Sequence, residues 1–211
     1  MDQLLIEKFR NRINETEYAW KTFSNVKGRN QWNCICSAMD WITVAVNGID
    51  FMHGMSGIRH GSEKTFDVLT LIMRIALIKE GIEQLHRVLY GTSEQYRKDD
   101  KIVWNGDPFG QTDNEYFEIL RACFGAHPIN LKGFTNSNMR QFASWPFMGT
   151  NGFSVFLYPS NSEEENLILS ISFEQLEKYA LLRYQHLTDM IQIIEQGNLC
   201  VRRMREVETS I

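Results

Sequence analysis

The stretch EYFEILRACFGAHPINL, residues 115–131, decides how this chain is read. Its apolar residues fall at helical intervals, so it predicts a helix with a buried face. Asp113 stands where an N-cap belongs, and Pro128 biases His127 out of the helical region. The predicted helix therefore covers Asn114 to about Ala126. It carries two costly side chains near its end, Arg121 and His127.

Upstream, Leu5, Phe9, Ile13, Trp20 and Phe23 recur at helix-compatible spacing, predicting one helix from about Asp2 to Ser24. SNVKGRN then reads as a turn, with Gly28 as breaker. Trp32, Ile35, Cys36, Met39, Ile42, Thr43 and Val46 mark a second helix, apolar almost all round and hence central. GIDFMHGMSGIRHGSEK, with its glycines, reads as a frayed helix end or a long mobile connection. Ser62 looks like the cap of a third helix, from Lys64 to about Leu89, ended by Gly91. Residues 92–112 are polar, with turn dipeptides at Asn105-Gly106 and Asp107-Pro108. A loop of that length is expected to be functional or mobile.

Downstream of the opening stretch the pattern changes. FSVFLYP and NLILSIS are short, rich in β-formers and separated by the acidic SNSEEE, which predicts a β-hairpin over about 152–172. A last long helix begins at Phe173, with Leu176, Tyr179, Ala180, Leu182, Leu187, Ile191 and Ile194 at helical spacing. Gly197 is read as its stop, and the tail from about 198 to 211 as prone to fray. The predicted architecture is mainly α: one domain, 1–211, built as a bundle of about five helices with a hairpin inserted before the last long one.

Composition sets limits on this. Hydrophobic residues make up 43% and charged residues 23%, ordinary for a packed domain. The net charge of −4 argues against a broad surface for duplex nucleic acid. It leaves room for a local basic pocket, for which Lys27, Arg29, Arg74, Arg87, Arg140, Arg183, Arg202, Arg203 and Arg205 are available. The charged N-terminal MDQLLIEKFRNRINETE is unlike a signal peptide, and no apolar run is long enough for a membrane span. Cys34, Cys36, Cys123 and Cys200 are read as reduced and the protein as cytoplasmic.

Arg121 and His127 admit two readings. In the structural one, Arg121 snorkels to a carboxylate such as Asp40 or Glu80, and His127 caps the helix carbonyls. In the chemical one, they form a site. Six steps of a straight α-helix put the two side chains about 120° apart. A break at His127, or a second copy across a two-fold axis, is needed to bring them together. Histidine titrates near neutrality and serves as base or acid, while arginine grips phosphate oxygens in a fork. Cleaving RNA without metal asks for these two roles: proton transfer at the 2′-hydroxyl and leaving oxygen, and positive charge on the phosphorane.

Arg121, a five-residue spacer ACFGA and His127, near the end of a late helix, resemble the motif of the HEPN superfamily, an arginine, four to six residues, then a histidine. The wider EYFEILRACFGAHPINL, the hairpin and the helix FEQLEKYALLRYQHL are similar to bacterial HEPN-like proteins. The resemblance implies a dimer with both motifs in one composite cleft, Arg121 on the scissile phosphate and His127 as general acid or base. It implies a metal-independent endoribonuclease of a toxin–antitoxin or other defence system, or an inactive RNA-binding or partner-binding module. No cofactor is implied. Active members often carry a polar residue directly after the arginine, and this chain has Ala122 there. Two functions stay open: an RNA-binding protein or endoribonuclease acting as a homodimer, with an antitoxin or other protein partner, and an inactive interaction module in which both residues are structural.

The remaining candidates are weaker. His53 and His60 lack the spacing of a helical metal pair, and His86 and His186 are read as helix-face residues. Cys34-Ile35-Cys36 points its thiols to different faces. No phosphate-binding glycine loop or nucleophile elbow occurs. The nine methionines read as core filler. Trp104 and Trp145 are the two tryptophans placed to stack on bases, or else to cover an apolar edge.

Overall fold

The computed structural model describes residues 1–50, 61–105, 111–126, 128–132, 140–161 and 163–208, with residues 50, 61–64, 125, 126 and 203–208 described by backbone alone. The chain is mainly α. Its helices are α1 (Gln3–Ile13), α2 (Tyr18–Phe23), α3 (Gln31–Asp50), α4 (Gly61–Tyr90), α5 (Asp113–Arg121), α6 (Phe173–Tyr184) and α7 (Leu187–Glu208). A π-helical segment, Ala122–Ala126, continues α5. The strands are β1 (Leu131–Lys132), β2 (Arg140–Ala143), β3 (Phe147–Met148), β4 (Gly152–Pro159) and β5 (Leu167–Ser172).

Two compact units share these elements: residues 1–51, 77–96 and 181–211 form one, and residues 52–76 and 97–180 the other. The first is helical. Ile6, Phe9 and Ile13 lie along one stripe of α1 and are buried, and α1 packs on α3 and α7. Burying each such side chain contributes roughly 1.5–3 kcal/mol. In this unit the expected first helix is two. Asn14 closes α1 by returning its side-chain amide to the Arg10 carbonyl at 2.8 Å. Asn198 of α7 donates to the Arg12 carbonyl at 2.8 Å and accepts from the Thr16 hydroxyl at 2.6 Å. These polar side chains satisfy the carbonyls that a continuous helix would have used. The predicted turn after α2 is a two-residue hairpin, in which Val26 and Arg29 exchange both backbone hydrogen bonds around Lys27 (φ 52°) and Gly28 (φ 77°).

Two further expectations are corrected here. α3 does not bury its whole circumference: Trp41 and Val44 are more than half exposed. Gly197 does not end the last helix. That helix breaks earlier, at Gln185-His186, and α7 runs through Gly197 as far as Glu208. A Cβ at Gly197 would lie 2.0 Å from the Tyr18 ring, so the glycine lets α2 approach α7. Residues 198–208, expected to fray, are helical. α4 likewise begins at Gly61, ahead of the Ser62 read as its cap.

The second unit holds the sheet. β4 and β5 pair antiparallel from Gly152↔Ser172 to Leu157↔Leu167. They are not an isolated hairpin. β2 and β3 line the other edge of β4 in turn, and β1 pairs with β2. The inward positions Phe153, Val155, Leu157, Leu169 and Ile171 are buried, as alternation along a half-buried strand requires. Phe153 meets Phe124 of the π segment edge-on at 5.1 Å, which ties the end of the α5 region to the sheet.

Candidate functional site

α5 begins with a capping box: Thr112 accepts from the Glu115 backbone N–H, and Glu115 accepts from that of Thr112. The cap is Thr112, one residue before the Asp113 expected from the sequence. Asp113 is fully buried and accepts from the backbone N–H groups of Ile102, Val103 and Trp104 at 3.0–3.2 Å. Residues 102–104 of the long connection are therefore held to the start of α5. Trp104 is buried, stacked at 4.7 Å on Tyr116, so of the two tryptophans proposed for base stacking only Trp145 is exposed.

Arg121 occupies the last turn of α5, its side chain 39% exposed, and pairs with Glu118 one turn earlier at 3.2 Å. Asp40, one of the acids expected for it, pairs with Arg10 at 2.8 Å. From Ala122 to Ala126 the helix widens to π winding, a rare geometry found mostly as short insertions and often at functional positions. The widening starts directly after Arg121 and ends directly before His127, which lies outside the described residues, as do His53 and His60. Within the π segment Cys123 is buried, and burial pushes its thiol up to about 12, so it supplies no thiolate near neutral pH.

A second arrangement, which sequence reading dismissed, lies in the helical unit. His186 is not on a helix face but in the α6–α7 corner, 5% exposed. Its Nδ1 lies 3.0 Å from Asp189 Oδ2, and its Nε2 lies 3.0 Å from His86 Nδ1. Tyr96 stacks on the His186 ring at 3.8 Å. An ionised carboxylate only accepts, so it selects the Nδ1–H form of His186, whose Nε2 then accepts from His86 Nδ1–H. Burial lowers the His86 pKa, and the nearby Glu83 opposes that shift. The one sequence clue was Asp189, three residues after His186 on the next helix.

Among the described residues no group of three or more His, Cys, Asp or Glu could hold a metal ion, and no helix is long and apolar enough to cross a membrane. Cys34, Cys36, Cys123 and Cys200 are free thiols. Of the cations available for a basic pocket, Arg183 is buried, Arg202 pairs with Glu15 and Arg87 holds Gln84, while the side chains of Arg203 and Arg205 lie outside the described residues. Compared with known proteins, the chain matches no family model, no curated protein and no solved structure.

Proposed function

We propose that this chain is a HEPN-like RNA-binding protein or metal-independent endoribonuclease acting through Arg121 and His127, as a homodimer and in a defence or toxin–antitoxin setting. The observation that carries this reading is the environment of Arg121. Its guanidinium is partly open to solvent at a helix end, paired with a carboxylate that is itself 42% exposed. Such a surface pair is worth about 0–1 kcal/mol, so exchanging Glu118 for an RNA phosphate costs little. The π winding between the two motif residues adds a local departure from helical geometry where the site requires one. In this reading Arg121 holds the scissile phosphate and neutralises the phosphorane, and His127 moves the proton at the 2′-hydroxyl or at the leaving oxygen.

The test is incubation of the purified chain with RNA in EDTA, beside the Arg121→Ala, His127→Ala and double variants. Wild type should cut and the variants should lose cutting by about 100-fold or more. Equal cutting by wild type and the double variant removes the nuclease. Sedimentation of wild type tests the dimer. The second reading, an inactive interaction module, draws on the Arg121–Glu118 pair as a structural contact and on Ala122 after the arginine. It predicts no cleavage and loss of stability in Arg121→Ala.

A further inference from the structure

Strands alternate their side chains, so the sheet has a second face besides the buried one. The register fixes its members. Tyr158 lies opposite Phe142, Phe156 opposite Ile168, Phe147 opposite Ser154, and Ser154 opposite Ser170. These side chains point away from the core formed by Phe153, Val155 and Leu157. Trp145, in the β2–β3 connection, is 72% exposed, Phe147 44%, Tyr158 41% and Phe142 38%. The rings run in contact across the face: Trp145–Phe147 at 6.2 Å, Phe147–Phe156 edge-on at 5.3 Å, and Phe156–Tyr158 nearly parallel at 6.4 Å.

A contiguous set of exposed rings is the kind of surface feature that calls for an explanation. The charges around it narrow the choice. None of the five strands contains an aspartate or glutamate. Their two exposed cations, Lys132 and Arg140, are cross-strand partners on β1 and β2, next to Phe142. Among the described residues neither is in an ion pair. The acidic Glu163, Glu164 and Glu165 lie in the β4–β5 connection, off the strands. Rings beside two cations, on strands that carry no acidic residue, suit nucleobases and phosphates better than a second apolar protein face, which gains nothing from the cations. The Ser154 and Ser170 hydroxyls, 3.0 Å apart in the middle of the face, add a donor and an acceptor of the kind that meets a ribose 2′-hydroxyl.

We propose that this sheet face binds single-stranded RNA, with bases stacked on Phe147, Phe156, Tyr158 and Phe142 and the backbone held at Lys132 and Arg140. The inference deepens the RNA reading of the chain and rests on it for RNA as the ligand, but it uses different residues from the Arg121–His127 motif. A paired duplex offers no open base faces, so the site takes unpaired strands.

The experiment uses the full chain carrying His127→Ala, so that the probe survives, and a short fluorescein-labelled oligouridylate followed by anisotropy and by Trp145 quenching. Phe147→Ala and Tyr158→Ala should each weaken binding about tenfold, while Tyr158→Phe, which keeps the ring, should bind as the parent does. Arg140→Gln should weaken binding and flatten its dependence on salt. Phe66→Ala, which removes an exposed ring elsewhere, should change nothing. The deoxy oligonucleotide should bind more weakly. Absence of oligouridylate binding, ring variants that bind like the parent, or equal binding of the deoxy strand overturns the proposal. So does self-association that is lost in the ring variants, which would assign the face to a second copy. Ring-dependent binding with no cleavage by the wild-type chain would sink the nuclease alone. Cleavage that is indifferent to the ring variants would sink the sheet site alone.

Discussion

Single residues in this chain are most informative where they break a rule of composition. Gly197 sits inside a helix, where alanine would ordinarily be favoured by about 1 kcal/mol. The Tyr18 ring occupies the space its Cβ would need. Gly197→Ala is therefore expected to destabilise by about 1–3 kcal/mol, and adding Tyr18→Ala should recover part of the loss, both measured by urea denaturation. Glu118 offers a functional counterpart. It pairs with Arg121, so Glu118→Gln removes a negative charge from beside the guanidinium, and RNA affinity should rise by a few fold in a filter-binding assay. Unchanged or weaker binding would count against Arg121 as the phosphate contact. His86 sets a pH dependence. Its folded pKa lies below the ordinary 6.5, so the unfolded chain binds the proton more readily. Stability is complete above pH 6.5 and falls as pH drops below it. Glu83 on its own helix acts on the ring, and Asp189 is bonded to the other nitrogen of His186, beyond the His86–His186 contact. Denaturation midpoints measured on either side of pH 6.5 should show this slope, and His86→Gln should reduce it.

At the scale of elements, local signals and packing signals behaved differently. The β4 and β5 segments were legible because alternation and turn composition are local. β1 and β3 contain two residues each, too few for any period, so the sheet around the hairpin was not. The α1–α2 break was hidden for another reason. Asn14 closes α1 locally, but the side chain that takes up the Arg12 carbonyl and holds Thr16 is Asn198, more than 180 positions along the chain. Asn198→Ala, which removes two hydrogen bonds and leaves the Arg12 carbonyl without this donor, should destabilise by about 1–3 kcal/mol. At α5 the sequence placed the helix and misassigned its cap, because Thr112 and Asp113 are both capping residues and only the path of residues 102–104 distinguishes them. The π widening left no mark that propensity could detect.

On the scale of the molecule, the mainly helical class followed from the periodic segments, which dominate the chain. The division into two units did not, since each is assembled from separated stretches and α4 and α6 contribute to both. The motif Arg121 and the exposed Trp145 were visible as residue types; their surroundings were not. Nothing in the sequence tied Arg121 to Glu118 rather than to Asp40, because an exposed pair one turn apart competes on nearly equal terms with a distant acid. His86 and His186 are 100 positions apart, and their contact depends on how the α6–α7 corner folds over α4.

The buried Asp113 has a further consequence, one of exchange rates. Its carboxylate stands in the first turn of α5 and holds three amides of a segment with no regular secondary structure. Those amides can open only when the helix start opens. Hydrogen exchange at Val103 and Trp104 should then be as slow as in the body of α5, far slower than at the exposed positions Glu94 and Lys98. Asp113→Ala should release both sites to loop-like exchange together, with one opening event where a free loop would show many.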